Sequence, residues 1–472
     1  MKSVQESINK RALKAGIWYT ICNFAIRGIN FITTPFFTRL ISKSDYGLYS
    51  NYALWLSLLT ILTTLDLYTS VSRAKFDYED NLDNYISSIQ ICGTFFTGIC
   101  YCLVILFHTT FEQIFGMEMK YINIMFLYLL FSPSFTLLQA KHRQLLKYKI
   151  VSLMAGLSTI ASVIISIFLV VAMEDDFEAR VLGSTVTLII FYFFTYLYNL
   201  WKGKNINTKY WKYALVIAVP LIPHVLAGNI LGTSDRLMIT KFCGSESTAL
   251  YSVVYSCSLI VMVLYNSVNQ AWSPWLYEQL SARNYKLISK SSKAYIILSL
   301  IAVCTIMLIG PEVVWIFGGR QYAESSKIVP CIMLGTFYWS LYTFFVNVEI
   351  YHKKTFGISV RTIIAALVNL LGNYLLIPIF GWEVAAYTTL GAYFLLLILH
   401  SFAGKNLGTD SYYSRKFFFL IAGIAFVFML IIKVAYTDII LRLIVSIIFV
   451  SSGAVLVYKN QNVIKIWLNR KK

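Results

Sequence analysis

The chain has 472 residues, of which 58% are hydrophobic and 13% charged, and its mean hydropathy is +0.67. A soluble protein carries roughly twice that share of charge, and a transmembrane barrel shows alternating stretches of about ten residues rather than long apolar runs; both are excluded. The formal net charge of +18 would suggest nucleic acid in a soluble protein. Here Lys and Arg gather in alternate loops, so the excess is topological and no nucleic-acid partner is expected.

The apolar runs predict an all-α polytopic membrane protein of about fourteen spans. They fall near 15–40, 46–70, 86–108, 119–140, 150–173, 179–201, 212–240, 248–274, 289–317, 326–350, 357–379, 383–404, 415–434 and 438–458. Most of the 40 Lys and Arg lie in the N-terminal segment, the C-terminal tail and the loops after even-numbered spans, as with Lys141, Arg143, Lys147 and Lys149. The other loops carry acids such as Glu174, Asp175, Asp176 and Glu178. Both termini are therefore expected in the cytoplasm. The first apolar run is too long for a signal peptide and lacks a cleavage site. The loops offer no room for the soluble domain that a membrane glycan polymerase or ligase uses to hold catalytic groups, so a transporter is expected rather than an enzyme.

The first span places Asn23, Arg27, Asn30 and Thr34 at steps of four, three and four, on one helical face. A charge at mid-membrane depth costs about 2.5–3.5 kcal/mol on insertion scales. Such a stripe faces other helices or a wet cavity, and it reads as one wall of an anion-binding cavity. In the second span, Thr63, Asp66, Ser70 and Arg73 recur at steps of three, four and three. Asp66 either neutralises Arg27 or titrates as an ion-coupling site. Arg73, near the cytoplasmic end, meets either an anionic substrate or lipid phosphates.

The seventh span contains Pro220, Pro223, Gly228 and Gly232, which bend a membrane helix where it lines a cavity or is buried in protein. His224 is either a hydrogen-bonded buried histidine or a proton carrier. Asp235 and Arg236 are sequence neighbours, cannot share a helical face and need not pair. Asp235 reads as structural; Arg236 forms an interhelical salt bridge or lines the cavity. Further amides stand inside later spans: Asn266, Asn269, Gln270, Asn347, Asn369 and Asn373. They are interhelical ties or cavity lining, with Asn269 and Asn373 the substrate-binding candidates. Tyr338 and Tyr342 either stack on sugar rings or, as most of the 33 tyrosines must, serve packing or the lipid interface. Of eight cysteines, Cys22, Cys92, Cys100, Cys102, Cys257, Cys304 and Cys331 lie in or beside apolar runs. No CxxC pair or metal-ligand spacing appears, so they read as packing residues and no cofactor is expected.

A weak internal repeat sets Arg39–Ser50 over Lys241–Ser252, with Gly47-Leu48-Tyr49-Ser50 matching Ala249-Leu250-Tyr251-Ser252. It divides the chain into two pseudo-symmetric six-helix lobes, 1–201 and 202–404, followed by two C-terminal helices and a tail over 405–472. Repeated lobes flanking a midplane site are a common carrier plan.

Thr38-Arg39-Leu40 followed by Asp45-Tyr46-Gly47-Leu48-Tyr49-Ser50 resembles the start of the Wzx-type repeat-unit flippases. So does Pro220-Leu221-Ile222-Pro223-His224 with Asp235-Arg236 and Tyr251-Ser252, and so does Asn369 to Pro378 with Gly381 and Ala385-Ala386. The three motifs come in the family's order across spans 1 to 12; Ala249 departs from it, standing where a glycine is usual. That family lies within the multidrug/oligosaccharidyl-lipid/polysaccharide exporter superfamily. The resemblance implies two lobes in a V around a cationic cavity, to which Arg27, Arg73 and Arg236 stand in matching places. It implies a flippase in the bacterial cytoplasmic (inner) membrane. Its cargo would be an undecaprenyl-pyrophosphate-linked oligosaccharide, moved to the outer leaflet by alternating access for O-antigen (lipopolysaccharide), capsule or exopolysaccharide synthesis. Its partners would be membrane lipids and the polymerase and chain-length regulator of the same pathway, with H+ or Na+ as coupling ion. A lipid II flippase shares the expected fold and pyrophosphate and is the nearest alternative. A cation-coupled multidrug antiporter wants an acidic cavity instead.

Overall fold

The computed structural model describes residues 28–29, 32–145, 147–204 and 206–459, apart from a few side chains, that of His224 among them. Asn23, Arg27 and Asn30 lie outside these residues, as does Cys22. Every described element is a helix. By contacts the chain divides into two compact units, Met1–Ala249 and Leu250–Lys472.

In the first unit a helix over 32–40 is followed by α1 (Lys43–Thr63), α2 (Val71–Asp77), α3 (Leu82–Leu106), α4 (His108–Phe115), α5 (Met119–Gln144), α6 (Tyr148–Ala172), α7 (Asp176–Val181), α8 (Thr187–Gly203), α9 (Thr208–Ala218) and α10 (Ile222–Cys243). The division falls within α11 (Ser245–Ser281). The second unit continues with α12 (Tyr285–Leu308), α13 (Gly310–Gly318), α14 (Val329–Tyr351), α15 (Thr355–Phe380), α16 (Val384–Asn406), α17 (Arg415–Ala435) and α18 (Ile439–Lys459).

Among the described residues ten helices are long and apolar enough to cross a membrane, or up to twelve if each of two bent pairs is one span. Those twelve correspond in order to the second through thirteenth expected spans. The first expected span, 15–40, lies largely outside the described residues, and the last contributes only the shorter apolar stretch Ile440–Phe449. The chain is a multi-pass membrane protein, and the count of fourteen itself is not established.

The second expected span is not one helix. α1 ends at Thr63, Leu65 and Asp66 take left-handed backbone at φ 53° and 50°, and the segment from Leu67 to Asp77 leaves at an angle of 50°. Thr63, Asp66, Ser70 and Arg73 therefore do not form the continuous stripe that their spacing predicts. The helical ladder is interrupted, and α3 supplies a partial replacement: the Thr97 hydroxyl, shared with the Gly93 carbonyl of its own helix at 2.9 Å, donates to the Thr63 carbonyl at 3.1 Å. Side-chain rescue of this kind is what lets irregular backbone persist inside a membrane protein. The seventh span bends as its prolines predict, through a short turn at Val219–Leu221.

The interior of the first unit is built on α5, packed against α3 and α8. Its polar tie is Asn199 on α8, whose amide donates to Gln90 Oε1 at 2.7 Å and to the Ser134 carbonyl at 3.0 Å. Gly183, in a π turn between α7 and α8, lets the chain press against α6: a Cβ there would meet the Ser166 Cα at 2.3 Å. In the second unit α14 is the central helix, buried along most of its length against α12, α16 and α17.

Candidate functional site

The two repeat stretches meet within the first unit. Ser44 Oγ lies 3.0 Å from Ser245 Oγ, and a Cβ on Gly47 would fall 1.8 Å from the Ser245 carbonyl oxygen. Only glycine fits the first copy. In the second copy Ala249 is fully buried, so the departure from the usual glycine is absorbed by packing. Farther along α1, the Asn229 amide of α10 donates to Ser57 Oγ at 3.2 Å.

Two of the three arginine candidates lie within the described residues. Arg73 on α2 is exposed, and its Nε lies 3.2 Å from Asp77, which also accepts the Tyr213 hydroxyl at 2.6 Å. Arg236 on α10 is mostly buried and donates through Nη2 to the Gly232 carbonyl at 2.8 Å. Its neighbour Asp235 is fully buried and folds back, accepting the Arg236 backbone N–H at 2.8 Å with the guanidinium Nε 3.9 Å away. The two neighbours, which by helical position need not pair, touch through this backbone contact. A short carboxylate reaches the next residue's N–H without sharing its helical face. Each arginine has an acid beside it, so neither stands as a bare cation.

Asp66, at the break after α1, is buried with Tyr68 beside it. Its Oδ2 has no hydrogen-bond partner among the described residues. Asn269 accepts the Asn347 amide at 2.7 Å and lines a pocket of about 220 Å³ with Tyr265, Tyr295, Trp339 and Phe344. The pocket combines an amide with aromatic rings, but it is small. Asn373 is sealed: it donates to Asn369 at 3.2 Å and accepts the Thr388 hydroxyl, tying α15 to α16. Tyr338 is buried and donates to the Ala422 carbonyl at 3.1 Å, and Tyr342 stacks on His400. No described residues group three or more potential metal ligands. Cys92, Cys257, Cys304 and Cys331 are buried as free thiols, whereas Cys102 is exposed.

Several charged residues have helix-to-helix roles that the sequence did not reveal, among them Lys141, expected in a loop but standing in the last turn of α5. Lys141 of α5 pairs with Asp83 of α3. Arg180 of α7 lies over the rings of Phe37 and Tyr49, 3.6 and 4.4 Å from their centroids, an arrangement that holds a cation in an apolar setting. Glu349, Arg361 and His400 converge from α14, α15 and α16. For Glu349, Arg361 and His400 the available signal was their position inside expected spans, where ionisable groups are scarce and paired.

The fold matches known transporters. A solved structure of the lipid II flippase MurJ in an inward closed conformation superposes with a TM-score of 0.70 at 16% identity, covering 95% of this chain and all of that one. An inward-facing multidrug resistance MATE family transporter of the MOP superfamily gives a TM-score of 0.60 at 11% identity, covering 83% of this chain and 98% of that one. In sequence, protein 1 of the Lsg locus of Haemophilus influenzae is 23% identical over 380 residues, 76% of this chain and 89% of the relative. The family model described as polysaccharide biosynthesis protein matches residues 12–280, more than half of the chain. The chain belongs to the polysaccharide biosynthesis protein family.

Proposed function

We propose that the protein is a carrier, not an enzyme, and moves an undecaprenyl-pyrophosphate-linked oligosaccharide from the cytoplasmic to the outer leaflet by alternating access. The observation that carries this reading is the family match, joined to the fold of a lipid II flippase over nearly the whole chain. A pyrophosphate bearing sugars cannot cross hydrocarbon unaided, because its charges and hydroxyls lose their hydration. Arginine suits the headgroup, since its fork donates to phosphate in pairs.

In this reading the lobes 1–201 and 202–404 rock about the bent spans, with 405–472 attached. Arg27, Asn23, Asn30, Arg73, Arg236 and Asn269 meet the headgroup and sugars, whereas Asn373, sealed between α15 and α16, serves as an interhelical tie instead. Asp66 and His224 are the coupling candidates, for H+ or Na+. The protein sits in the bacterial cytoplasmic membrane with both termini inside and serves O-antigen, capsule or related glycan synthesis beside a polymerase and chain-length regulator.

Deletion of the gene followed by analysis of lipid-linked intermediates in each leaflet tests this directly. The undecaprenyl-linked repeat unit accumulates on the cytoplasmic side, and the intact gene reverses it. Unchanged leaflet distribution and unchanged surface glycan overturn the reading. The likeness to MurJ favours a second substrate, lipid II. Rescue of a strain depleted of its own lipid II flippase selects that alternative.

A further inference from the structure

We propose that Glu349, His400 and Arg361 form a proton-binding site that couples protonation to the packing of α14, α15 and α16; its use in transport rests on the carrier function above. Glu349 and His400 are both fully buried, and His400 Nδ1 lies 2.7 Å from Glu349 Oε1. Arg361 reaches the other carboxylate oxygen through Nη2, while its Nε lies 3.4 Å from the same His400 Nδ1. A buried ion pair is complete with a carboxylate and a guanidinium. The imidazole is a third group, and it is approached in two incompatible ways.

Nδ1 has one in-plane position. It holds either a proton donated to Glu349 or a lone pair accepting from Arg361, never both. With the ring neutral and its proton on Nε2, Arg361 Nε donates to Nδ1. Adding one proton at Nδ1 makes an imidazolium that donates to Glu349 and repels the guanidinium. Arg361 is free to answer, because its side chain is 20% exposed and rests against Gly357, where a Cβ would lie 2.8 Å from Nη2. His400 Nε2 is buried with no partner among the described residues, and the ring is held on its Nδ1 side and by the stacked Tyr342, whose ring centroid is 5.3 Å away.

The charged and titratable groups facing the ring are Glu349 and Tyr342 from α14 and Arg361 from α15. Lys405 stands in the last turn of α16, and Asp410, beyond it, is bound by Arg415 at 2.7 and 2.9 Å. Three neighbouring helices each contribute one member of the cluster. A proton gained or lost there thus changes which pair of helices is tied together.

Imidazole 15N spectra of the detergent-solubilised full chain test the site without any transport assay. Five histidines are present, and the His400 signal is the one lost in His400→Gln. It is expected to change protonation state over the pH range in which the protein stays folded, with a midpoint that moves by about one pH unit or more in Glu349→Gln and by less than that in Arg361→Lys. A His400 signal that keeps one protonation state throughout, or the same midpoint in Glu349→Gln, overturns the proposal. In a deletion strain, with membrane expression matched, Glu349→Gln and His400→Gln are expected to lower surface glycan at least about tenfold, a loss of about 1.4 kcal/mol in transport, while Arg361→Lys is milder. Wild-type display from both variants overturns the coupling. If the wild-type gene itself restores no glycan, the carrier function falls, and the spectra still decide the proton site.

Discussion

The break after α1 and the cluster at α14, α15 and α16 handle polarity inside the membrane in opposite ways. At the break the backbone itself is irregular: two left-handed residues end the helix, and α3 supplies a hydroxyl to the freed carbonyl. At the cluster the three helices run unbroken, and charge is balanced by side chains converging across them. A carbonyl loses little if a hydroxyl turns away, whereas a charge left without its counter-charge in a low-dielectric interior is expensive. The first arrangement suits a segment that changes shape; the second ties helices together until its charge state changes.

The largest expected effect comes from removing one charge of the cluster. Glu349→Leu leaves Arg361 without its carboxylate and should lower stability by about 3–5 kcal/mol, read as loss of folded protein in detergent thermal unfolding. Gly47→Ala should cost about 1–3 kcal/mol, because its Cβ meets backbone at Ser245 rather than a flexible side chain; thermal unfolding again reads it. Asn199→Ala removes two buried donations and should cost about 1–2 kcal/mol, in line with interhelical amides in membranes. Thr97→Val unpairs a single carbonyl at the break and should cost about 1 kcal/mol, with faster hydrogen exchange at the residues following Thr63. A cost near that of Glu349→Leu would erase the contrast between the two regions. Arg73→Gln, at an exposed ion pair, should leave the melting temperature unchanged, so any fall in surface glycan would report on substrate handling alone.

Sequence reading located the membrane helices because hydropathy over some twenty residues is a bulk property that no neighbour can alter. It placed the bend at Pro220 and Pro223, where the ring chemistry is local. The break at Leu65 and Asp66 was not legible in the sequence: aspartate tolerates left-handed backbone, but leucine rarely adopts it, and the compensating hydroxyl comes from Thr97 on another helix. The amides read as interhelical ties or cavity lining divide by neighbourhood: Asn373 is sealed against Thr388 and Asn369, while Asn269 borders a pocket. Arg361 lies just inside the expected span 357–379, a few residues past Lys353 and Lys354, so on charge alone it reads as one more basic residue at that helix end.

Taken by itself, the sequence determined an all-helical, multi-pass membrane protein and the stretches that resemble its family. Those follow from side-chain hydrophobicity and from short motifs, both carried by residues near one another in the chain. Tertiary structure alone decided that Gly47 seats against Ser245, that Asp235 turns back on Arg236, and that Glu349, His400 and Arg361 share one buried site. Hydrogen bonds and ion pairs act over a few ångströms, and only folding brings residues 12 or 51 positions apart within that range.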